Sequence, residues 1–302
     1  MTSGQLKYEK FMVDLTREYR PQREWAEGRG LYLIIGHFLV GVAGGAWIFG
    51  HLFDHPASLV CSFFLAVGGG LCHLINLGRP ERFWRMMRCI RTSWVARGFW
   101  GISFFMVGGI IFLPALVFPD FLWSADSFIA KTGEAIAWVG AVIMIGYMGF
   151  AYMVSKAIPF WNSPLHPVLY IAYALRGGAG LLFLLAPMYA LAPRLEASLL
   201  QSWIWITCLV IALWGVEAVA VMSSGDGAAR RSFHELFKGN LAGYVYIGIL
   251  LLGLVVPVFL LSGVAVAQTS LSLAFVGLTS VIGDLFIKLC SVKAGVHIPV
   301  RI

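Results

Sequence analysis

Long apolar segments alternate with short polar stretches along nearly the whole chain. Each segment runs for about 20 residues, the length that an α-helix needs to cross roughly 30 Å of hydrocarbon. The pattern predicts eight membrane-spanning helices at Gly30–Phe53, Ala57–Leu77, Gly98–Phe118, Glu134–Ser155, Pro167–Ala192, Ala197–Met222, Leu241–Ser262 and Leu271–Ser291. We therefore expect an all-α membrane protein, with the eight helices arranged as two four-helix bundles.

The polar stretches divide the chain without indicating a soluble domain. Residues 1–29 form a mixed-charge segment, unlike the short basic region and apolar core of a cleaved signal peptide. We therefore expect the first span to be retained in the protein. Residues 30–156 make up the predicted first bundle, which includes an arginine-rich loop at 78–97. Residues 157–302 make up the second bundle and a short C-terminal tail.

Composition supports lipid as the main solvent of this chain. Only 12% of its residues are charged and 59% are hydrophobic, whereas a soluble domain has about 25% charged residues. The formal net charge is +7. This excess does not indicate nucleic-acid binding, because basic loops are what membrane topology requires.

The distribution of basic residues predicts the orientation. Of 22 Lys and Arg residues, 19 fall in the N-terminal segment, in the loops after the second, fourth and sixth spans, and from Lys288 to the C-terminus. Lys131 and Arg194 lie on the opposite side, and Arg176 lies inside the fifth span. Because short cytoplasmic loops are enriched in Lys and Arg, both termini are predicted to be cytoplasmic.

Polar residues inside the spans are concentrated in the predicted cytoplasmic half of the bilayer. Counting 1.5 Å per residue from the cytoplasmic helix ends places six of them at depths of roughly 6–13 Å. They are His37, His73, Tyr152, Arg176, Glu217 and Asp284. A charged side chain at the bilayer centre costs about 2.5–3.5 kcal/mol, so such residues are kept for a partner or a function. Their shared depth predicts a small-molecule site or a proton relay.

A purely structural interpretation also fits the charged residues. Arg176 could form an ion pair with Asp284 or Glu217 that holds the second bundle together. Asp284 and Lys288 are four residues apart, a spacing that allows a local ion pair. His37 could equally be a hydrogen-bonded interior histidine.

The sequence offers little for a resident metal centre. Cys61, Cys72, Cys89, Cys208 and Cys290 form no CxxC pair, whereas an iron–sulfur cluster needs four converging cysteines. His37 and His73 are the one histidine pair at depths that suit axial ligation of a haem. We expect neither a haem nor a cluster on this chain, and a haem b cytochrome remains an alternative.

The loop after the second span carries the most distinctive sequence. It reads Leu77-Gly78-Arg79-Pro80-Glu81-Arg82-Phe83-Trp84-Arg85-Met86-Met87-Arg88, and continues to Thr92-Ser93-Trp94-Val95-Ala96-Arg97-Gly98. Arginine and tryptophan are favoured anchors at protein interfaces. The predicted docking residues are Arg79, Arg82, Trp84, Arg85, Arg88 and Trp94. Such a segment could instead lie on anionic lipid.

The Leu77–Pro80 corner followed by Arg82 and Phe83, together with the run Thr92-Ser93-Trp94 before Arg97-Gly98, resembles the NrfD, polysulfide reductase and dimethyl sulfoxide reductase anchor family. The resemblance implies a quinone-reactive membrane subunit without haem, using menaquinone or ubiquinone. It also implies two partners: an iron–sulfur subunit with four clusters, and a molybdopterin catalytic subunit with a molybdenum or tungsten bis-pterin cofactor. Substrate catalysis would lie on that other subunit.

The same resemblance assigns roles to residues. His37, His73 or Asn76 just before the corner, and more loosely Tyr152, match the positions that contact quinone. Arg176, Glu217 and Asp284 match no family motif, and we assign them to proton movement.

The predicted orientation indicates on which side of the membrane the partner subunits lie. The family implies the cytoplasmic membrane of a bacterium or archaeon, and the basic loop implies partner subunits on its cytoplasmic face. That arrangement resembles complexes that oxidise a substrate and reduce quinone. A secondary transporter or another proton-conducting protein, which would use the Arg176, Glu217 and Asp284 trio, is the alternative.

Overall fold

A computed structural model describes residues 19–262 and 269–298, together with residues 5, 6, 8, 9, 12 and 13. In this part of the chain, eight helices are long and apolar enough to cross a membrane. They are α2 (Gly30–Leu52), α3 (Pro56–Asn76), α5 (Trp94–Val117), α6 (Phe128–Met153), α7 (His166–Leu185), α8 (Pro193–Ser223), α10 with α11 (Tyr244–Val255 and Val256–Leu261) and α12 (Ser270–Ala294). The predicted all-α fold with eight spans is confirmed.

Two of the helices that begin four or more residues earlier than hydropathy predicted are each capped by a serine side chain. The Ser93 hydroxyl accepts a hydrogen bond from the backbone N–H of Ala96, so α5 begins at Trp94. Ser127 caps α6 in the same way, which adds a polar first turn before the apolar segment. Side-chain caps of this kind satisfy backbone donors that the first turn leaves free. The predicted arginine-rich loop at 78–97 therefore ends as the first turn of a helix.

The helix α2 lies at the centre of the molecule and packs against α3, α6 and α7. Glycines make the α2–α7 contact possible: a Cβ added at Gly45 would overlap the backbone of Ala174, and one at Gly178 would overlap that of Gly45. Small residues allow helices in a membrane to approach this closely. Helices from residues 30–156 and 157–302 thus meet along a tight interface with α2 and α7 at its centre, and the division into two four-helix bundles stays a prediction.

One face of the molecule carries two short strands that pair with each other. The two-residue strands β1 (Arg20–Pro21) and β2 (Val296–His297) pair there in antiparallel fashion. The short helices α1 (Arg23–Ala26), α4 (Phe83–Met87) and α9 (Gly227–Phe237) belong to connections on this side. We call it the basic face, because it also carries the arginine-rich connection between α3 and α5.

Lys288 is not part of the basic face, contrary to its place in the charge count. It lies inside α12 with only 3% of its surface exposed. Lys7, Lys10, Arg17 and Arg301, which also entered that count, lie outside the described residues. The remaining bias toward one face is still large.

Candidate functional site

A partly open cavity of about 160 Å³ lies in the N-terminal half, just beneath the basic face. We call it the N-terminal cavity. Its wall is formed by Trp25, Leu33, His37, His73, Asn76, Leu77, Met86, Val95, Phe99, Tyr147 and Met148. These residues come from α1 to α6 and the corner after α3, so six helices contribute to one small space. Three of the four predicted quinone residues line it: His37, His73 and Asn76.

The two histidines lie against each other in this wall. His37 and His73 are 5% and 3% exposed, and their ring centroids are 4.8 Å apart. A Cβ added at Gly36 would lie 3.1 Å from the His73 ring, so glycine on α2 makes room for it. Nδ1 of His37 is buried and has no hydrogen-bond partner among the described residues. The His37 ring in the cavity wall therefore has unused hydrogen-bonding capacity.

Tyr147 is a cavity residue that the sequence did not reveal. Its hydroxyl is joined to Nε2 of His73 by a hydrogen bond of 3.1 Å. A tyrosine in an apolar span is typical of a packed core, and here the packing of α6 against α2 and α5 brings its hydroxyl to the histidine on α3. The one available signal was its position in the same span as the predicted Tyr152.

Tyr152 lies behind this wall and does not line the cavity. Its ring centroid is 6.4 Å from that of His37 and 5.4 Å from that of Tyr170 on α7. Trp161 lies 4.8 Å away on another side. Tyr152 thus connects the N-terminal cavity to the aromatic residues of the C-terminal half.

An open basic cleft lies next to the cavity on the basic face. It has a volume of about 510 Å³ and is lined by Arg29, Leu77, Gly78, Arg79, Arg82, Phe83 and Met86. Leu77 and Met86 line both spaces, so a single layer of side chains separates the cleft from the cavity. Gly78 has a φ of +71°, a conformation that favours glycine at this corner.

The predicted docking residues divide into an exposed group and an internally packed one. Trp84 on α4 is 43% exposed, and the guanidinium of Arg88 lies 4.3 Å from its ring centroid. Arg79, Arg82 and Arg85 are also exposed. Trp94, by contrast, is held between Phe150, whose ring is 4.2 Å away, and the guanidinium of Arg97 at 4.1 Å. Of the two tryptophans, Trp84 is the one presented to the outside.

The C-terminal half contains a buried ion pair. A guanidinium nitrogen of Arg176 donates to the Asp284 carboxylate, and these side chains are 3% and 1% exposed. Arg176 also donates to the Thr207 hydroxyl at 3.0 Å and to the Gly253 carbonyl. These hydrogen bonds join α7, α8, α10 and α12. The arrangement matches the predicted ion pair between Arg176 and Asp284.

Lys288 connects the ion pair's helix to the N-terminal cavity. Its ammonium donates to the backbone carbonyl of His37 at 3.0 Å. The expected pairing with Asp284, one turn away, is not among the ion pairs of the described residues. The lysine bonds to this carbonyl because α12 packs close to α2. Gly41 on α2 leaves room for the ammonium group, which an added Cβ would contact.

Glu217 stands apart from Arg176 and Asp284. Its carboxylate accepts a hydrogen bond of 2.7 Å from the Ser163 hydroxyl. It borders a void of about 10 Å³, which is also lined by His166, Tyr170 and Tyr173. That volume is about the minimum for one water molecule. The predicted proton-pathway residues therefore occupy two separate places.

The described residues include no group of three or more His, Cys, Asp and Glu side chains arranged to hold a metal ion. The geometry defines a multi-pass membrane protein with a largely apolar cavity, which has two histidines and an asparagine in its wall, beneath a basic surface.

The chain belongs to the family described as polysulphide reductase, NrfD, which matches residues 29–298. Members of this family are membrane subunits of redox enzyme complexes. The family resemblance drawn from the Leu77–Pro80 corner is thereby confirmed, and the chain is a membrane anchor subunit of an oxidoreductase complex.

Two relatives show how distant the similarity is. Protein NrfD of Escherichia coli (strain K12) is 24% identical over 215 residues, covering 64% of this chain and 67% of that protein. A selenate reductase subunit of Mesobacillus selenatarsenatis is 21% identical over 283 residues, covering 77% of this chain and 66% of that protein. The chain thus spans about two thirds of the length of each relative.

Proposed function

We propose that this subunit exchanges electrons and protons with membrane quinone in the N-terminal cavity. Electrons pass between the quinone and an iron–sulfur subunit with four clusters, docked on the basic face. That subunit connects to a catalytic subunit with a molybdenum or tungsten bis-pterin cofactor, and the favoured direction is substrate oxidation with quinone reduction. One observation carries the proposal: the cavity that holds His37 and His73 shares the side chains of Leu77 and Met86 with the basic cleft.

The cavity wall suits the headgroup of menaquinone or ubiquinone. A quinone ring is flat and apolar except for two carbonyl oxygens, which need hydrogen-bond donors. His73, Tyr147 and Asn76 offer such donors, while Leu33, Val95 and others supply apolar contacts. Drug-sized pockets measure about 300–1,000 Å³, so about 160 Å³ holds a headgroup and leaves the tail in lipid.

The proton chemistry falls to the paired side chains. Reducing a quinone to a quinol consumes two electrons and two protons, one at each oxygen. The hydrogen-bonded His73 and Tyr147 can pass one proton to the nearer oxygen. His37, with a free ring nitrogen among the described contacts, is positioned to serve the other.

Two groups of buried polar residues extend from the cavity into the C-terminal half. One runs from Tyr152 through Tyr170 to the void beside Glu217 and Ser163. The other runs from the His37 carbonyl through Lys288 toward Asp284 and Arg176. We assign the first to proton uptake, because its void can hold a water molecule. The second contributes charge control near the cavity.

The histidine geometry favours quinone over haem. Axial ligands must lie on opposite sides of a porphyrin plane. The rings of His37 and His73 are in contact, at 4.8 Å between centroids, and Nε2 of His73 already bonds Tyr147. A macrocycle does not fit between two rings that touch.

The docking surface consists of exposed arginines around Trp84. Arg79 and Arg82 line the cleft, and Arg85 and Arg88 stack on Trp84. Such a surface fits an acidic patch on the cluster subunit, because charge complementarity fixes register and speeds association. The excess of basic residues on this face supports a cytoplasmic location for it.

Replacing His37 or His73 by Ala in the assembled complex tests the proposal. We expect quinone reduction to slow by about 100-fold or more, since positioned acid–base groups contribute about 10²–10⁴. Substrate oxidation with a soluble dye should be unchanged, because that reaction bypasses the cavity. His234→Ala, at an exposed position on α9, is the matched control. Unchanged quinone kinetics in both cavity variants would refute the assignment.

A further inference from the structure

A second and larger cavity, of about 340 Å³, lies within the C-terminal half between α8, α9, α10 and α12. Trp214, Phe233 and Phe237 give it an aromatic side, and aliphatic residues of the π-helical α10 line another. Arg176 is the one charged side chain in its wall among the described residues, and Thr207 lies beside it. This C-terminal cavity is thus an apolar space with a guanidinium at one point.

The ion pairing of the Arg176 guanidinium favours a neutral ligand in this cavity. The charge of Arg176 is already balanced by Asp284. Three of the five N–H groups of the guanidinium donate to Thr207, Asp284 and Gly253. The remaining donors can bond a carbonyl oxygen, but an anion would add an unpaired negative charge to a buried, neutral pair, which is costly.

The depth of Arg176 in the membrane distinguishes between the lipid-soluble molecules that could offer it a carbonyl group. It is the eleventh residue of the 20-residue α7, which places it about 15 Å from either end of the helix. The hydrocarbon core is roughly 30 Å thick, so Arg176 lies near the midplane. Phospholipid ester carbonyls stay at the membrane surface and cannot reach it. A quinone carries flat, neutral carbonyl groups that can enter the hydrocarbon region.

We propose that the C-terminal cavity is a second binding site for a quinone-class molecule, with a ring carbonyl accepting from Arg176 and the ring lying against Trp214. The volume falls within the range of about 300–1,000 Å³ that is typical of small-molecule pockets. This inference rests on the proposed function only in taking quinone as the carrier. The site is assigned a binding role, and the N-terminal cavity remains the place of reduction.

Gly215 offers a way to block the cavity without disturbing the fold. It lines the space, and a Cβ added there meets nothing within 4 Å. Gly243 also has nothing within 4 Å of an added Cβ, but it does not line the cavity. Gly215→Phe should therefore fill the mouth, and Gly243→Phe is the matched control.

The test is photo-crosslinking of a photoreactive quinone analogue to the full complex in lipid nanodiscs, with labelled peptides mapped by mass spectrometry. We expect labels in peptides covering 207–254, reduced at least tenfold by Gly215→Phe, unchanged by Gly243→Phe, and competed by unlabelled quinone. Labels in 33–99 report independently on the N-terminal cavity and should be lost in His73→Ala.

Several outcomes would overturn the second site. The first is that residues 207–254 are not labelled while residues 33–99 are. The second is that Gly215→Phe leaves the labelling of 207–254 intact. The third is that excess phospholipid competes with this labelling but unlabelled quinone does not. If the unmodified complex is labelled in 207–254 but not in 33–99, the result would instead contradict the proposed function. The two failures are therefore distinguishable.

Discussion

The two halves of this protein bury polar groups in different settings, one around an ion pair and the other around a pair of histidines. In the C-terminal half, Arg176 is bonded to Asp284, Thr207 and Gly253, so its charge is matched and its helices are tied together. In the N-terminal half, His37 keeps an unpartnered ring nitrogen among the described residues, beside a cavity. Buried polar groups are normally satisfied, and each exception calls for an explanation. Asp284 Oδ2 and His166 Nδ1 in the C-terminal half also lack a hydrogen-bond partner among the described residues. The contrast therefore lies in the charges: the Arg176–Asp284 pair mainly stabilises the fold, whereas the acid–base chemistry proposed for quinone reduction lies at the histidines.

Removing Arg176 should have the largest effect on stability. Arg176→Leu leaves the Asp284 carboxylate buried without its cation, which typically destabilises a protein by about 3–5 kcal/mol. We expect a large fall in the midpoint of thermal unfolding of the purified subunit, or loss of the protein from membranes.

The double variant Arg176→Leu, Asp284→Leu is the control for that prediction. Because both charges are gone, it should regain most of the lost stability. If quinone turnover is also restored, the pair is purely structural. If stability returns and turnover does not, the charges serve proton movement. A stable single variant would contradict the assigned role of the ion pair.

Replacing exposed basic residues should weaken the association with partner subunits only when those residues lie in the N-terminal half. Replacing Arg82, Arg85 and Arg88 by Gln should release the partner subunits from membranes, because Arg85 and Arg88 lie over Trp84 and Arg82 lines the adjacent cleft at the proposed interface. We expect roughly 10–100-fold weaker association, corresponding to about 1–3 kcal/mol at an interface centre. Co-sedimentation of the partner subunits with membranes measures it.

The matched control lies on the same face in the C-terminal half. Arg230, Arg231 and Lys238 can be replaced by Gln together, and association should persist. Equal release by both triple variants would mean that overall charge, and not the surface around Trp84, holds the partner. Full retention in the first variant would favour contact with anionic lipid.

The smallest expected effect concerns a single hydroxyl in each half. Tyr147→Phe removes the hydrogen bond to His73 and should lower quinone turnover about 2–10-fold, since one hydrogen bond contributes about 0.5–1.5 kcal/mol. Tyr246→Phe removes the hydrogen bond to the Phe237 carbonyl at an exposed position in the C-terminal half and should leave quinone kinetics unchanged. Initial rates of quinone reduction in matched membrane preparations would show the difference. An equal loss of quinone turnover in both variants would contradict the assignment of quinone chemistry to the N-terminal half.

Hydropathy was sufficient to predict the eight spans, because lipid requires continuous apolar helices of fixed length. Counting along the helices also placed His37 and His73 at similar depth. What counting could not give was the rotation of each helix. Rotation and packing turn Tyr147 toward His73, hold Trp94 against Phe150, and bury Lys288 beneath His37. These are tertiary contacts, and no single span encodes them.

A density map of the complex with a saturating quinone analogue tests the central claim most directly. We predict ring density in the N-terminal cavity, with a carbonyl oxygen within about 2.6–3.2 Å of a donor on His37, His73, Asn76 or Tyr147. An empty N-terminal cavity, with the histidines still packed against each other and the ring bound elsewhere, would contradict it.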